Sequence, residues 1–223
     1  GDNLAVKANV DGLPLALANA FVPDLALSGT VSGEADISGS LDDPQAAFRV
    51  AVSQANAAPL RAADIGAASA TAEGRYRRGQ IDLSSAVVNV GGGTLTVSGE
   101  AGQRLDLKVS LADLPLAIAN GFEESLGLQG VLSGEATVSG RATRPQATFS
   151  LSAPSVTTRA TRSAGLPAGS LNVAGRFDGS TVSLSEAVLS IGGGDVRATG
   201  SVGQRLSLGI DITNLPLALA NGF

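Results

Sequence analysis

A nine-residue signature, Leu-Pro-Leu-Ala-[Leu/Ile]-Ala-Asn-[Ala/Gly]-Phe, occurs three times, at 13–21, 114–122 and 215–223. Its prolines are Pro14, Pro115 and Pro216, so both intervals are 101 residues (115 − 14 and 216 − 115). Pro44 and Pro145, Phe48 and Phe149, and Gln103-Arg104-Leu105 and Gln204-Arg205-Leu206 keep the same offset. So do the triplets Gly91-Gly92-Gly93 and Gly192-Gly193-Gly194. A fixed period without insertions reads as a tandem repeat whose units stack on one another. The units are expected at about 4–104 and 105–205, with a partial one at 206–223. They form one continuous segment, expected to be a piece of a longer array.

Inside each unit, apolar and polar residues alternate. Leu105, Leu107, Val109 and Leu111 are separated by Asp106, Lys108 and Ser110. Period two means a strand with one apolar and one polar face. The same alternation assigns Phe48 and Val50, Phe149 and Leu151, and Leu171, Val173 and Phe177 to the apolar face, with Tyr76 in the first unit. Asp178-Gly179 signals a hairpin, and Arg78-Gly79 takes its place one repeat earlier. Val182 and Leu184 then point one way, but after Ser185-Glu186 the phase slips and Leu189 and Ile191 take over. Ile81, Leu83, Val88 and Val90 slip at the same place. A one-residue slip exchanges the faces unless a bulge absorbs it, so a bulge is predicted there. The triple glycines close a hairpin leading to Leu95 and Val97, or to Val196. They are not a phosphate loop, because no Lys-Ser/Thr follows and the next segment is a strand.

The signature itself reads as a two-turn helix. Asp113 is placed to cap it, Pro115 fits its first turn and Asn120-Gly121 fits its end. Leu114, Ile118 and Phe122 fall at i, i+4 and i+8, which predicts one apolar side docked on the sheet as a plug. The glycine-punctuated stretches 25–39 and 126–140 predict one or two short, strongly curved strands each. A variable loop is expected around Pro154 and Pro167. The tally is six or seven strands and one short helix per unit. The expected fold is all-β, a curled and largely antiparallel sheet array with an open hydrophobic groove.

The chain has no His and no Cys, which removes imidazole bases, thiolate nucleophiles and thiolate metal sites. Lys is confined to Lys7 and Lys108, both on the polar face of a strand. The carboxylate pairs Asp42-Asp43 and Glu123-Glu124 do not recur at the repeat offset and read as solvated charge. Glu34 and Glu135 do recur, as do Arg104 and Arg205, and read as a repeated ion pair or sheet-edge charge. No enzyme activity, metal or cofactor is expected. With a net charge of −5 and no basic run, nucleic acid is a poor partner. Hydrophobic residues make up 43% of the chain but aromatics only 3%, so the apolar face is a broad aliphatic lining rather than a set of aromatic anchors. Such a lining suits hydrocarbon chains, held without register.

The run Leu-Pro-Leu-Ala-Leu-Ala-Asn-Ala-Phe followed by Leu-Ser-Gly-Thr-Val-Ser-Gly-Glu-Ala-Asp-Ile-Ser-Gly and then Pro, at 13–44 and again in kind at 114–145, resembles the TamB family of AsmA-like proteins. The resemblance covers essentially the whole chain. It implies a periplasmic location in a Gram-negative bacterium, with an inner-membrane anchor not present in this sequence. It further implies a curled "taco" sheet whose hydrophobic groove carries phospholipid between the membranes. A second implied role is assembly of outer-membrane proteins together with a TamA-type barrel, through regions outside this segment. Tandem immunoglobulin-like domains of an adhesin or stalk have the same period and are the competing architecture. Limited proteolysis separates the two: a continuous sheet yields no fragment of one repeat, whereas beads on a string do.

Overall fold

The computed structural model describes residues 4–215, so all but the first residue of the third signature lies outside the described residues. The first unit supplies β1 (Leu4–Pro14), β2 (Ser28–Gly39), β3 (Pro44–Asn56), β4 (Ala68–Arg77), β5 (Gln80–Val90) and β6 (Gly93–Ala101). The second supplies β7 (Arg104–Pro115), β8 (Gln129–Arg141), β9 (Arg144–Thr157), β10 (Gly169–Phe177), β11 (Val182–Ile191) and β12 (Gly194–Val202); β13 (Leu206–Thr213) follows. Each strand pairs antiparallel with its sequence neighbours in a single 13-stranded sheet, curled and unclosed, with β1 and β13 at its two edges. The junction between units, β6 on β7, is a ladder like the others, from Thr94↔Ala112 to Ala101↔Leu105. At about 4.8 Å between strands the array is roughly 58 Å long. A single sheet leaves no place for tandem sandwiches.

The predicted bulge is present. Leu83 faces Gly99 and Ala86 faces Val97, so Ser84 and Ser85 together oppose Ser98. Leu184↔Gly200 and Ala187↔Ala198 repeat it in the second unit. A second repeated bulge was not foreseen. Leu111 faces Gly134 and Leu114 faces Leu132, with Ala112 and Asp113 opposing Ser133. Asp113 adopts φ 51°, in the left-handed region, as do Gly12 at 65° and Asn214 at 51° one repeat away. Its N–H donates to the Ser133 hydroxyl at 2.9 Å. Asp113 is therefore a bulge residue, not a helix cap, and Leu114 belongs to β7.

The helix expected at the signature is a 3₁₀ turn, Leu116–Gly121, entered from Pro115 with no side-chain cap. A 3₁₀ turn advances about 120° per residue, so residues four apart do not share a side. Ile118 is half-buried, but Phe122 is 73% exposed. The plug of Leu114, Ile118 and Phe122 is thus corrected: one lies on a strand, one is half-covered and one projects into solvent. Asn120 staples the turn rather than ending it. Its amide donates to the Leu128 carbonyl at 2.8 Å and its oxygen accepts from the Leu128 N–H at 2.7 Å. Asn19 makes the same pair of bonds to Leu27, at 3.0 and 2.7 Å.

Each unit holds three short helices rather than one. They are 3₁₀ turns at Leu15–Ala20 and Pro23–Leu25 with α1 (Ala58–Ala62), then Leu116–Gly121 and Glu124–Leu126 with α2 (Arg159–Ser163). Helix α1 of the first unit packs against the signature turn of the second, and a Cβ on Gly121 would collide with the Pro59 carbonyl. Arg61 and Arg162, one period apart, donate to the carbonyls of Ala26 and Gly127 at 3.0 and 2.9 Å. All six helices among the described residues sit at one set of strand ends, and the other set is closed by hairpins. The glycine-punctuated stretches each form one strand, β2 and β8, within the expected one or two, but these are long rather than short. Pro154 lies inside β9 instead of a loop, where the ladders to both neighbours shift register and need no N–H from it.

Burial is sparse. Among the described residues only Ile65, Ala68, Ala153, Val156, Ile191 and Thr161 are buried, beside several glycines. The accessible surface is 13529 Å² for 22.0 kDa, against about 9,300 Å² for a compact monomer of that mass. The sheet lacks a second layer. Replacing Asn120 by Ala removes both bonds to Leu128 and leaves two half-buried backbone groups unpaired. It should lower stability by about 1–2 kcal/mol, read as a fall in Tm by thermal circular dichroism, with the sheet signal at low temperature unchanged.

Candidate functional site

Directly paired residues of an antiparallel ladder lie on the same face of the sheet. Following the register across the strands gives unbroken rows. One runs Val10, Gly33, Val50, Ala72, Ala86, Val97, Val109, Ala136, Phe149, Gly175, Leu184, Gly200, Leu208. The row on its hairpin side passes through Phe48, Leu83, Leu107, Phe177 and Val182 and ends at Leu206. The row on its helix side passes through Val88, Leu95, Leu111, Leu151 and Val173 and ends at Ile210. All 13 strands contribute to each row, and no member carries a polar side chain.

The other predicted lining residues flank these rows. Tyr76, Ile81 and Leu105 form a line on the hairpin side, joined through Ala101. Leu171, Leu189 and Val196 form one on the helix side. Val90 and Ile191 pair with Gly93 and Gly194 at the last rung, where Ile191 is closed off at 4% exposure. Ile191 thus packs against Gly169 of β10 instead of lining an open surface. The predicted lining omitted β1, β2, β8 and β13, among them Val10, Val31, Val138 and Leu208. Their signal was the same alternation, since Leu208 repeats Leu107 at the 101-residue offset.

The bulges hold these rows in phase. Each takes up one extra residue, so Leu83 and Ala86, or Leu111 and Leu114, stay on one face although three apart. Rows also slide along the strands. Val10 leads to Val109 and Val109 to Leu208, steps of 99 residues against a period of 101. Each repeat therefore offers the row a position two residues earlier, and the whole strand must alternate for the row to remain apolar. Phe48 and Phe149 each lie beside a glycine. A Cβ on Gly74 would stand 3.0 Å from the Phe48 Cζ, and one on Gly175 would stand 2.8 Å from the Phe149 Cζ. The rings thus take space left by the missing side chains.

Exposure alternates with the same period: along β7, Leu105, Leu107, Val109 and Leu111 are half-buried while Asp106, Lys108 and Ser110 are exposed. The apolar face is the more crowded one. Yet it is not sealed, because Val6, Val10, Leu13, Tyr76, Ile81, Val202, Leu206, Ile210 and Ile212 remain exposed. The opposite face carries cross-strand polar pairs. Arg49 bridges Glu34 at 3.2 Å and Glu73 at 3.4 Å, and Lys7 meets Asp36 at 3.5 Å. Glu135, expected to repeat the Glu34 pair, faces Ser150, so that ion pair does not recur. Asp43, expected to be merely solvated, accepts two bonds from Arg78 at 3.1 Å, and this contact raises the Arg78 pKa. Thr137 and Thr148 share a hydrogen bond of 2.6 Å. The Ser190 hydroxyl donates to Asp195 at 2.6 Å and holds its carboxyl below the usual range. Ser125 does the same for Glu123.

What the arrangement offers is a long, aliphatic, solvent-accessible surface. Compared with known protein families, curated proteins and solved structures, the chain matches none. An environment-sensitive dye such as anilinonaphthalene sulfonate should brighten on the native protein at room temperature. Brightening only on thermal unfolding would mean that the apolar rows are shielded in solution.

Proposed function

We propose that this chain is a segment of a hydrophobic conduit that carries the acyl chains of phospholipids between two membranes. The observation that supports the reading is the three apolar rows, continuous over all 13 strands and unsealed by a second layer. Every CH₂ moved from water onto such a surface gains up to about 0.8 kcal/mol. Neighbouring positions along a row differ little in chemistry, so a chain held there meets no polar barrier to sliding. A specific receptor would instead place a few convergent polar groups in an enclosed apolar pocket. The resemblance to TamB-like proteins points the same way. On this reading the chain works in the periplasm of a Gram-negative envelope, with phospholipid as its cargo and any TamA-type barrel engaged elsewhere in the full protein.

Val173 sits in the helix-side row between Leu151 and Ala187. A photocrosslinking residue placed there should capture lipid in cells. Capture of unfolded polypeptide instead would favour an assembly role, and capture of neither would end the conduit reading. Val109→Glu puts a charge in the central row. It should cut co-purifying phospholipid several-fold while leaving the circular dichroism spectrum unchanged.

A further inference from the structure

The hairpin side of the sheet carries a feature that the ladder does not require. Arg104 pairs directly with Arg141, and Arg141 with Arg144, placing three arginines abreast on β7, β8 and β9. All three are exposed. They alternate with Leu105, Gly140 and Pro145 of the apolar face, so they stand on the polar face at the margin where the strands end. Like charges directly opposite one another on adjacent strands are destabilising. None of the ion pairs among the described residues includes any of the three. Asp178, whose charge is felt by Arg144, already accepts three hydrogen bonds on one oxygen, from Ser180 and Thr181, at 3.0–3.1 Å. The stem of Arg144 lies over Gly179, where a Cβ would stand 2.9 Å from its Cγ.

One repeat earlier, Ser40 and Asp43 occupy the positions of Arg141 and Arg144, and they close the same hairpin through backbone bonds between themselves. The turn therefore needs no arginine. A surface recess of about 690 Å³ opens beside Arg104, over Gly102, Ser139 and Gly140. Arg78, Glu100 and Asp106 also line it, whereas Arg141 and Arg144 stand outside it, so it is the three arginines abreast and not the recess that present an anion with uncompensated charge. Guanidinium groups are planar forks that bind phosphate oxygens in pairs.

We propose that Arg104, Arg141 and Arg144 form a site for a phosphate group, and that the phosphate is the head group of an amphiphile whose chains lie on the apolar face. The second half rests on the conduit reading; the first does not. The arginines occupy the first or last residues of their strands, so their long side chains reach the margin where a head group would leave the trough.

The test uses the whole chain and the triple variant Arg104→Gln, Arg141→Gln, Arg144→Gln. Binding of dihexanoyl phosphatidylglycerol should weaken about tenfold in the variant. Binding of dihexanoylglycerol, which has the same chains and no phosphate, should not change. Equal affinity of both proteins for the phospholipid would overturn the proposal. If neither lipid binds even the native chain, the conduit reading fails, and inorganic phosphate then tests the arginines alone. Movement of their Nε–H resonances with millimolar phosphate would assign the site to free phosphate, and no movement would overturn it. Removing abutting like charges should leave Tm unchanged or raise it, so a lower Tm would also count against the proposal.

Discussion

Alternation with period two gives a sheet two faces, and a slip of one residue in any ladder would exchange them. In this molecule the two faces differ sharply in chemistry, so register decides whether the apolar side is continuous or broken into patches. The chain meets that demand with three kinds of bulge, at Asp11-Gly12, at Ser53-Gln54 and at Ser84-Ser85, each repeated one period later. Without them, Leu83 and Ala86 would face opposite sides. The steps of 99 residues along a row show why nothing less than full alternation suffices: each repeat presents the row with a different strand position.

An ordinary sheet hides its apolar face beneath a second layer. Here the ladders and the half-burial of the apolar side chains carry the fold without one, and the exposed cross-strand ion pairs add little. The residues that are buried, such as Ile65, Val156 and Ile191, lie toward one set of strand ends, near the short helices. Those helices form a lateral ridge. Helix α1 reaches from the first unit to the signature turn of the second, and Gly121 is the residue that admits it. The repeats are thus coupled twice, by the β6–β7 ladder and by the ridge.

The two margins of the sheet differ as well. At the helix margin the signature leaves Phe21 88% exposed and Phe122 73% exposed. At the hairpin margin the polar face gathers arginines, with Asp43–Arg78 paired in the first unit and Arg104, Arg141 and Arg144 unpaired in the second. The helix margin thus ends on exposed aromatic rings, and the hairpin margin of the second unit on three abutting arginines.

The repeat, the strand faces and the first bulge were legible in the sequence because they rest on local period and on an offset that can be counted. Leu105 to Leu111, or Leu171 and Val173, declare their face by alternation alone. The signature misled because Asp, Pro and Asn-Gly favour helix ends and left-handed bulges through the same short polar side chains and backbone freedom. Only the pairing of Asp113 against Ser133 decides between them. The stapling role of Asn120, the carbonyl bonds of Arg61 and Arg162, and the row of three arginines each join residues distant in the chain. By itself, then, the sequence determined that the strands alternate and that the pattern recurs every 101 residues. The tertiary structure alone decided that they align into one open sheet with continuous rows, because register and closure depend on which strand edges meet, and no local pattern encodes that.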